Sequence, residues 1–140
     1  MKCLSNNSFK KLAQNIEYLA ELIKSSADPY LYWLENEESV GNGNDLDENF
    51  KNSVYQALST ISQKYGMKVT KNYDAQSAYF DIWYSTEDHE ESVCEVRVSN
   101  HKQAYSGPIW SFEPQDSLKE ILWGLNTIEK ELSDFSPSDF

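Results

Sequence analysis

The chain has 140 residues and a formal net charge of −11 at pH 7, from 12 Lys and Arg against 23 Asp and Glu. That balance excludes wide contact with nucleic-acid phosphates or anionic membrane surfaces, both of which need clustered cations. Hydrophobic residues at 39% and aromatics at 14% exclude an intrinsically disordered chain and supply the core of one domain.

The N-terminal stretch MKCLSNNSFKKL contains no apolar run of signal-peptide length, and no segment approaches the roughly 20 apolar residues that span a bilayer. Residues 8 to 26 read as a helix. Phe9, Leu12, Ile16, Leu19, Ala20 and Ile23 recur at helical spacing, with Lys10, Lys11, Glu17 and Lys24 opposite them. Ser8 or Asn7 can cap its start. Asp28-Pro29 is expected to end this helix and open a short second one, PYLYWLENEE, because proline removes a helical donor. The stretch SVGNGNDL reads as a loop by composition. Around it Glu35, Glu37, Glu38, Asp45, Asp47 and Glu48 follow one another with no Lys or Arg between them.

A further helix is expected from about Asp47 to Tyr65, with Phe50, Val54, Ala57, Leu58, Ile61 and Tyr65 as its buried stripe and Gly66 as its stop. Beyond Gly66 the period changes from helical to alternating. MKVTKNY, QSAYFDIWYS and SVCEVRVS are strand candidates. In the second, Ala78, Phe80, Ile82 and Tyr84 share one face, and Tyr79, Asp81 and Trp83 the other. In the third, Cys94, Val96 and Val98 share one face, and Val93, Glu95 and Arg97 the other. TEDHEE reads as the hairpin turn joining them. A shorter fourth strand is expected near Pro108 to Phe112. The last helix starts at Asp116 or Ser117, where Ser117 and Glu120 match a capping box, and its stripe is Leu118, Ile121, Leu122, Leu125 and Ile128. The tail SDFSPSDF is expected to fray.

The order predicts an α+β fold: N-terminal helices, an antiparallel meander of three to four strands, and a C-terminal helix packed on one sheet face. A single domain is expected over residues 1–134, with a helical part about 8–65, a sheet about 67–112 and a final helix about 117–133, followed by a tail at 135–140.

Catalytic signals are missing from the pattern. The histidines are His89 and His101, and no G-x-S-x-G elbow stands near either. The glycines build neither a P-loop nor a G-x-G-x-x-G. Glu87, Asp88, His89, Glu90 and Glu91 are all possible ligands, but a tight turn splays them into solvent rather than onto one metal ion. Cys3 and Cys94 have neither metal-knuckle nor redox spacing, and Cys94 reads as a small buried thiol. A non-enzyme without cofactor or metal is expected.

The acidic hairpin carries the sharper functional expectation. Asp81, Glu87, Asp88, Glu90, Glu91 and Glu95 lie on or around it as a closely spaced carboxylate array. A surface built to grip phosphates would accept such an array in their place. Trp83 and Tyr79 stand beside Asp81 as apolar anchors. The expected partner-binding set is Asp81, Trp83, Glu87, Asp88, Glu90, Glu91 and Glu95. The competing expectation is a sheet face covered by the N-terminal helices, with Trp83 in the core. Arg97 is expected to pair with a carboxylate across the sheet, Ser99 and Asn100 to close the strand, and His101 to bridge the turn to the sheet.

The segment CEVRVSNH, residues 94–101, resembles a short segment of small proteins from phages and mobile elements, in which a strand leads into Arg-aliphatic-Ser-Asx-His and a polar loop. Some anti-CRISPR proteins that inhibit Cas effectors carry a similar segment. The resemblance implies a small accessory protein of a phage or mobile element, acting in the cytoplasm of a bacterial host. With the charge pattern, it leads to the expectation of an acidic inhibitor that binds a basic, nucleic-acid-binding surface of an effector: a Cas-type effector, another defence nuclease or a toxin. Two alternatives stand beside it. One is an immunity protein that neutralises a toxin by the same electrostatics. The other is a double-stranded-RNA-binding-like module, which the charge disfavours. The terminal Asp139-Phe140 is similar to the tip peptides by which single-stranded-DNA-binding proteins recruit partners.

Overall fold

The computed structural model describes residues 15–36, 43–73, 77–100 and 107–137. Among these residues, three helices pack on a four-stranded sheet in an α+β arrangement: α1 (Ile16–Asn36), α2 (Gly43–Gln63), β1 (Lys68–Tyr73), β2 (Ser77–Ser85), β3 (Glu90–Ser99), β4 (Trp110–Phe112) and α3 (Leu118–Asp134).

α1 corrects the expectation of two helices, because Pro29 lies inside one continuous helix. The proline removes one backbone donor, yet the buried stripe Leu19, Ala20, Ile23, Ala27 and Tyr30 runs through it. Burying that stripe offsets a single missing hydrogen bond. Lys24 and Asp28 also form an ion pair of 2.9 Å across the turn before the proline. Phe9, Leu12 and the expected caps Asn7 and Ser8 lie outside the described residues.

α2 begins at Gly43, four residues before the expected start, inside the stretch read as a loop. The glycine belongs there for a packing reason. A Cβ at 43 would stand 2.5 Å from the Trp33 ring, so only glycine lets α1's indole lie against the start of α2. At the other end the expectation holds. Gly66 adopts φ 67°, and Met67 N–H donates to the Ser62 carbonyl at 3.0 Å to close the turn. Phe50, Val54, Ala57, Leu58 and Ile61 are buried, as their spacing predicts.

The strands lie in the order β1-β2-β3-β4. β1, β2 and β3 form the expected antiparallel meander. β4 departs from it and pairs parallel to β3, with Trp110 opposite Val96 and Phe112 opposite Val98. Strand alternation specifies which side chains share a face but not the direction of travel, so the sequence pattern suited either orientation.

A bulge interrupts the β2–β3 ladder. Ile82 pairs with Cys94, but Trp83 pairs with Ser92, which leaves Val93 as the extra residue. Val93 and Cys94 therefore both pack against the core, correcting the placement of Val93 beside Glu95 and Arg97. The turn itself is Thr86 to His89, closed by Thr86 N–H donating to the His89 carbonyl at 2.7 Å. Glu90 and Glu91, expected in the turn, are the first residues of β3.

α2 covers β1 and β2, α3 covers β3 and β4, and α1 lies across both helices. Ala78, Phe80, Ile82, Val96, Val98 and Phe112 face this helical layer and are fully buried. α3 opens with the predicted capping box. Ser117 Oγ accepts from Glu120 N–H at 3.1 Å, and Glu120 Oε1 accepts from Ser117 N–H at 3.0 Å. Leu118, expected in the buried stripe, is exposed at the first helical position. Phe135 caps the helix C-terminus and packs on Tyr84 with ring centres 5.6 Å apart, so the packed structure extends into the expected tail.

Candidate functional site

Strand pairing sorts the sequence-predicted residues onto two faces. Opposite the helices, β1 presents Lys68, Thr70 and Asn72, and β2 presents Tyr79, Asp81 and Trp83. β3 adds Glu90, Ser92, Glu95 and Arg97, and β4 adds Ser111.

Asp81 and Glu95 stand directly opposite each other on this outer face. Cross-strand Cβ atoms lie about 5 Å apart, so two carboxylates meet. Partial burial raises the Glu95 pKa first, and the charge of Asp81 and a hydrogen bond to it raise it further. Neither acid is in an ion pair among the described residues. Beside them Trp83 is half-buried and its Nε1 donates to Thr70 Oγ1 at 2.8 Å. Trp83 therefore lies on the sheet face away from the helical core. Glu90 continues the face and holds Lys68 at 3.2 Å. Glu87 and Asp88 are exposed at the turn below it.

Glu91 does not join this array. The bulge reverses the alternation, so Glu91 lies opposite Tyr84 on the helical side. Its carboxylate is 3.0 Å from His89 Nε2. Of the seven predicted residues, the structure brings Asp81, Trp83, Glu90 and Glu95 onto one face, leaves Glu87 and Asp88 at its tip, and places Glu91 behind it. Sequence reasoning missed Lys68 and Thr70. The alternation of KVTKNY puts them on one face, but nothing in that stretch says which strand they adjoin.

The far end of the outer face is polar and buried. Ser77 and Ser99 share a hydrogen bond of 2.9 Å. Arg97 is 1% exposed, and its Nη1 donates to Ser111 Oγ at 3.1 Å. The register places Tyr79 and Ser111 directly opposite it. At the strand exit Asn100 Nδ2 donates to the Tyr30 hydroxyl at 3.0 Å, tying β3 to α1. His101 lies outside the described residues.

No group of His, Cys, Asp and Glu among the described residues is placed to hold a metal ion. The Cys94 thiol is pushed up to about 12, chiefly by burial, with Glu131 and Asp81 adding to it, so it holds its proton and is inert as a nucleophile. No described helix is long and apolar enough to cross a membrane. Comparison of the chain with family models, with curated proteins and with solved structures returns no match in any of the three.

Proposed function

We propose that the protein is a small acidic inhibitor that binds a basic, nucleic-acid-handling surface of another protein through the outer face of its sheet. The observation that carries this reading is the Asp81–Glu95 pair. Two carboxylates held side by side repel each other, and a lysine or arginine from a partner would relieve that repulsion. Asp81 and Glu95 stand about 5 Å apart across the strands, and Glu90 lies beyond Ser92 on the same face, roughly 15 Å along β3 from Glu95, so the three acids form a fixed anionic grid. Trp83 adds an aromatic surface at the centre of the grid, where a contact slows dissociation. The resemblance of CEVRVSNH supports an anti-defence setting, with a Cas-type effector or defence nuclease as target. An immunity protein against a basic toxin would use the same face.

The test compares three full-length proteins as baits in host lysate that carries defence systems: the wild type, the Asp81→Lys/Glu95→Lys variant and the Glu91→Lys variant. A nucleic-acid-binding protein retained by the wild type and by Glu91→Lys, but lost from the outer-face variant, supports the reading. Its nuclease or binding activity should fall on stoichiometric addition of the wild type. Retention by the outer-face variant removes this face from the interface. Binding of DNA or RNA by the wild-type protein itself at physiological salt would sink the proposal.

A further inference from the structure

β1 is an edge strand whose only partner among the described residues is β2. Five of its six residues are exposed, so one side of its backbone ladder is open to another strand. A groove of about 340 Å³ runs beside that edge, lined by Tyr55, Ser59 and Gln63 of α2, by Met67, and by Lys68 and Val69. Tyr55, Ser59 and Gln63 are four residues apart and form one stripe of α2 alongside the strand. We propose that this edge and groove receive an extended acidic peptide of a partner protein, added to the sheet as a fifth strand.

Charge selects the occupant. β1 carries two lysines and no acid in a chain of net charge −11. Lys68 and Lys71 are three positions apart, so they project from opposite faces of the strand. Side chains of an added strand alternate in the same way, and acids on both of its faces would meet a cation. Lys68 is held by Glu90, while Lys71 lies 4.0 Å above the Tyr55 ring and makes no ion pair among the described residues. A second copy is the poorer occupant. Pairing β1 with itself sets lysines near lysines and brings two strongly acidic chains together. Tyr55, Met67 and Val69 give the groove an apolar wall. Its volume lies near the lower end for ligand sites, suiting one apolar side chain between two acids. Backbone hydrogen bonds then supply affinity, while the groove and the lysines supply selection.

The experiment titrates the isotope-labelled full-length chain with a capped peptide of alternating Glu and Val, followed by amide NMR shifts. A Lys/Val peptide and a Glu/Val peptide with a central proline are the controls. Shifts confined to residues 68–73 and the 55, 59 and 63 stripe are expected from the acidic peptide alone. Lys71→Glu should weaken binding roughly tenfold or more, and Ser59→Trp should block the groove. Should Ser59→Trp fail to fold, the exposed Lys71→Glu variant still decides the matter. Asp81→Lys/Glu95→Lys, which adds positive charge beside Thr70 of β1, should bind the acidic peptide at least as tightly as the wild type, which separates this edge from the proposed inhibitory face. Absence of β1 shifts at millimolar peptide, equal binding of either control, or self-association through β1 that the peptide does not displace would overturn the proposal.

Discussion

Gly124 sits beneath the Trp110 indole, and a Cβ there would stand 2.3 Å from Trp110 Nε1. Trp110 is braced on its other sides by Phe112 and by Trp123, with ring centres at 6.4 and 5.5 Å, so it has little room to retreat. Gly124→Ala should therefore destabilise the fold by about 1–3 kcal/mol, against the usual gain from replacing a helical glycine. Denaturant unfolding measures the loss, and tryptophan fluorescence should report a displaced indole in the folded state. Asp116 makes a different prediction. Burial lifts its pKa from 3.8 to about 6, with Glu120 and Glu113 adding to the rise, and the Glu113 N–H and Lys24 opposing it. Its side chain accepts from Glu113 N–H at 2.9 Å. Because the folded pKa is raised, the folded state holds more protons between about pH 4 and 6. The contribution to stability is complete below that window and is lost as pH rises through it. Asp116→Asn keeps an acceptor and removes the charge. It should match the wild type near pH 4 and exceed it near pH 7 by about 1 kcal/mol, a figure reduced for partial exposure. Equal pH profiles for the two proteins would refute this account.

At the scale of elements, Pro29 shows how burial overrides a local signal. Pro29 itself is exposed, and the helix continues around it only because Ala27 and Tyr30 are buried on either side. Pro29→Ala should restore a backbone donor without touching the core. Stability is expected to rise by roughly 1–3 kcal/mol, read as a higher denaturation midpoint with an unchanged slope. The same contrast explains what was legible in the sequence. The α2 stripe, the Gly66 stop and the Ser117 capping box were readable because each is written in residues close in sequence. The start of α2 was not, because Gly43 answers to Trp33 on another helix. Nor was the bulge, which depends on how two strands align, and one extra residue at Val93 was enough to send Glu91 behind the sheet. Asp81 and Glu95 were readable as neighbours because both lie on one side of that bulge, and Trp83 joins Asp81 because the extra residue is in β3 and leaves the alternation of β2 intact.

For the molecule as a whole, the helices occupy one side of the sheet and the acidic grid the other. The open edge at β1 adjoins both, through Lys68 at Glu90 and through the groove against α2. The net charge was plain from composition, but its distribution was not, since the positions of the lysines follow from pairing and packing. Arg97 gives the whole fold a built-in gauge. It is the only arginine in the chain, it is 1% exposed, and it lies on β3 between β2 and β4. An arginine-specific protease thus has a single cutting site, and reaching it requires the middle of the sheet to come apart. The native protein should resist cleavage, and its slow rate should rise with denaturant in step with global unfolding. In Gly124→Ala the rate should increase by roughly tenfold for each 1.4 kcal/mol lost. Equal cleavage of the two proteins would mean that the sheet opens locally, without the core. A single buried arginine thereby turns a simple digestion into a measurement of how often the entire domain lets go.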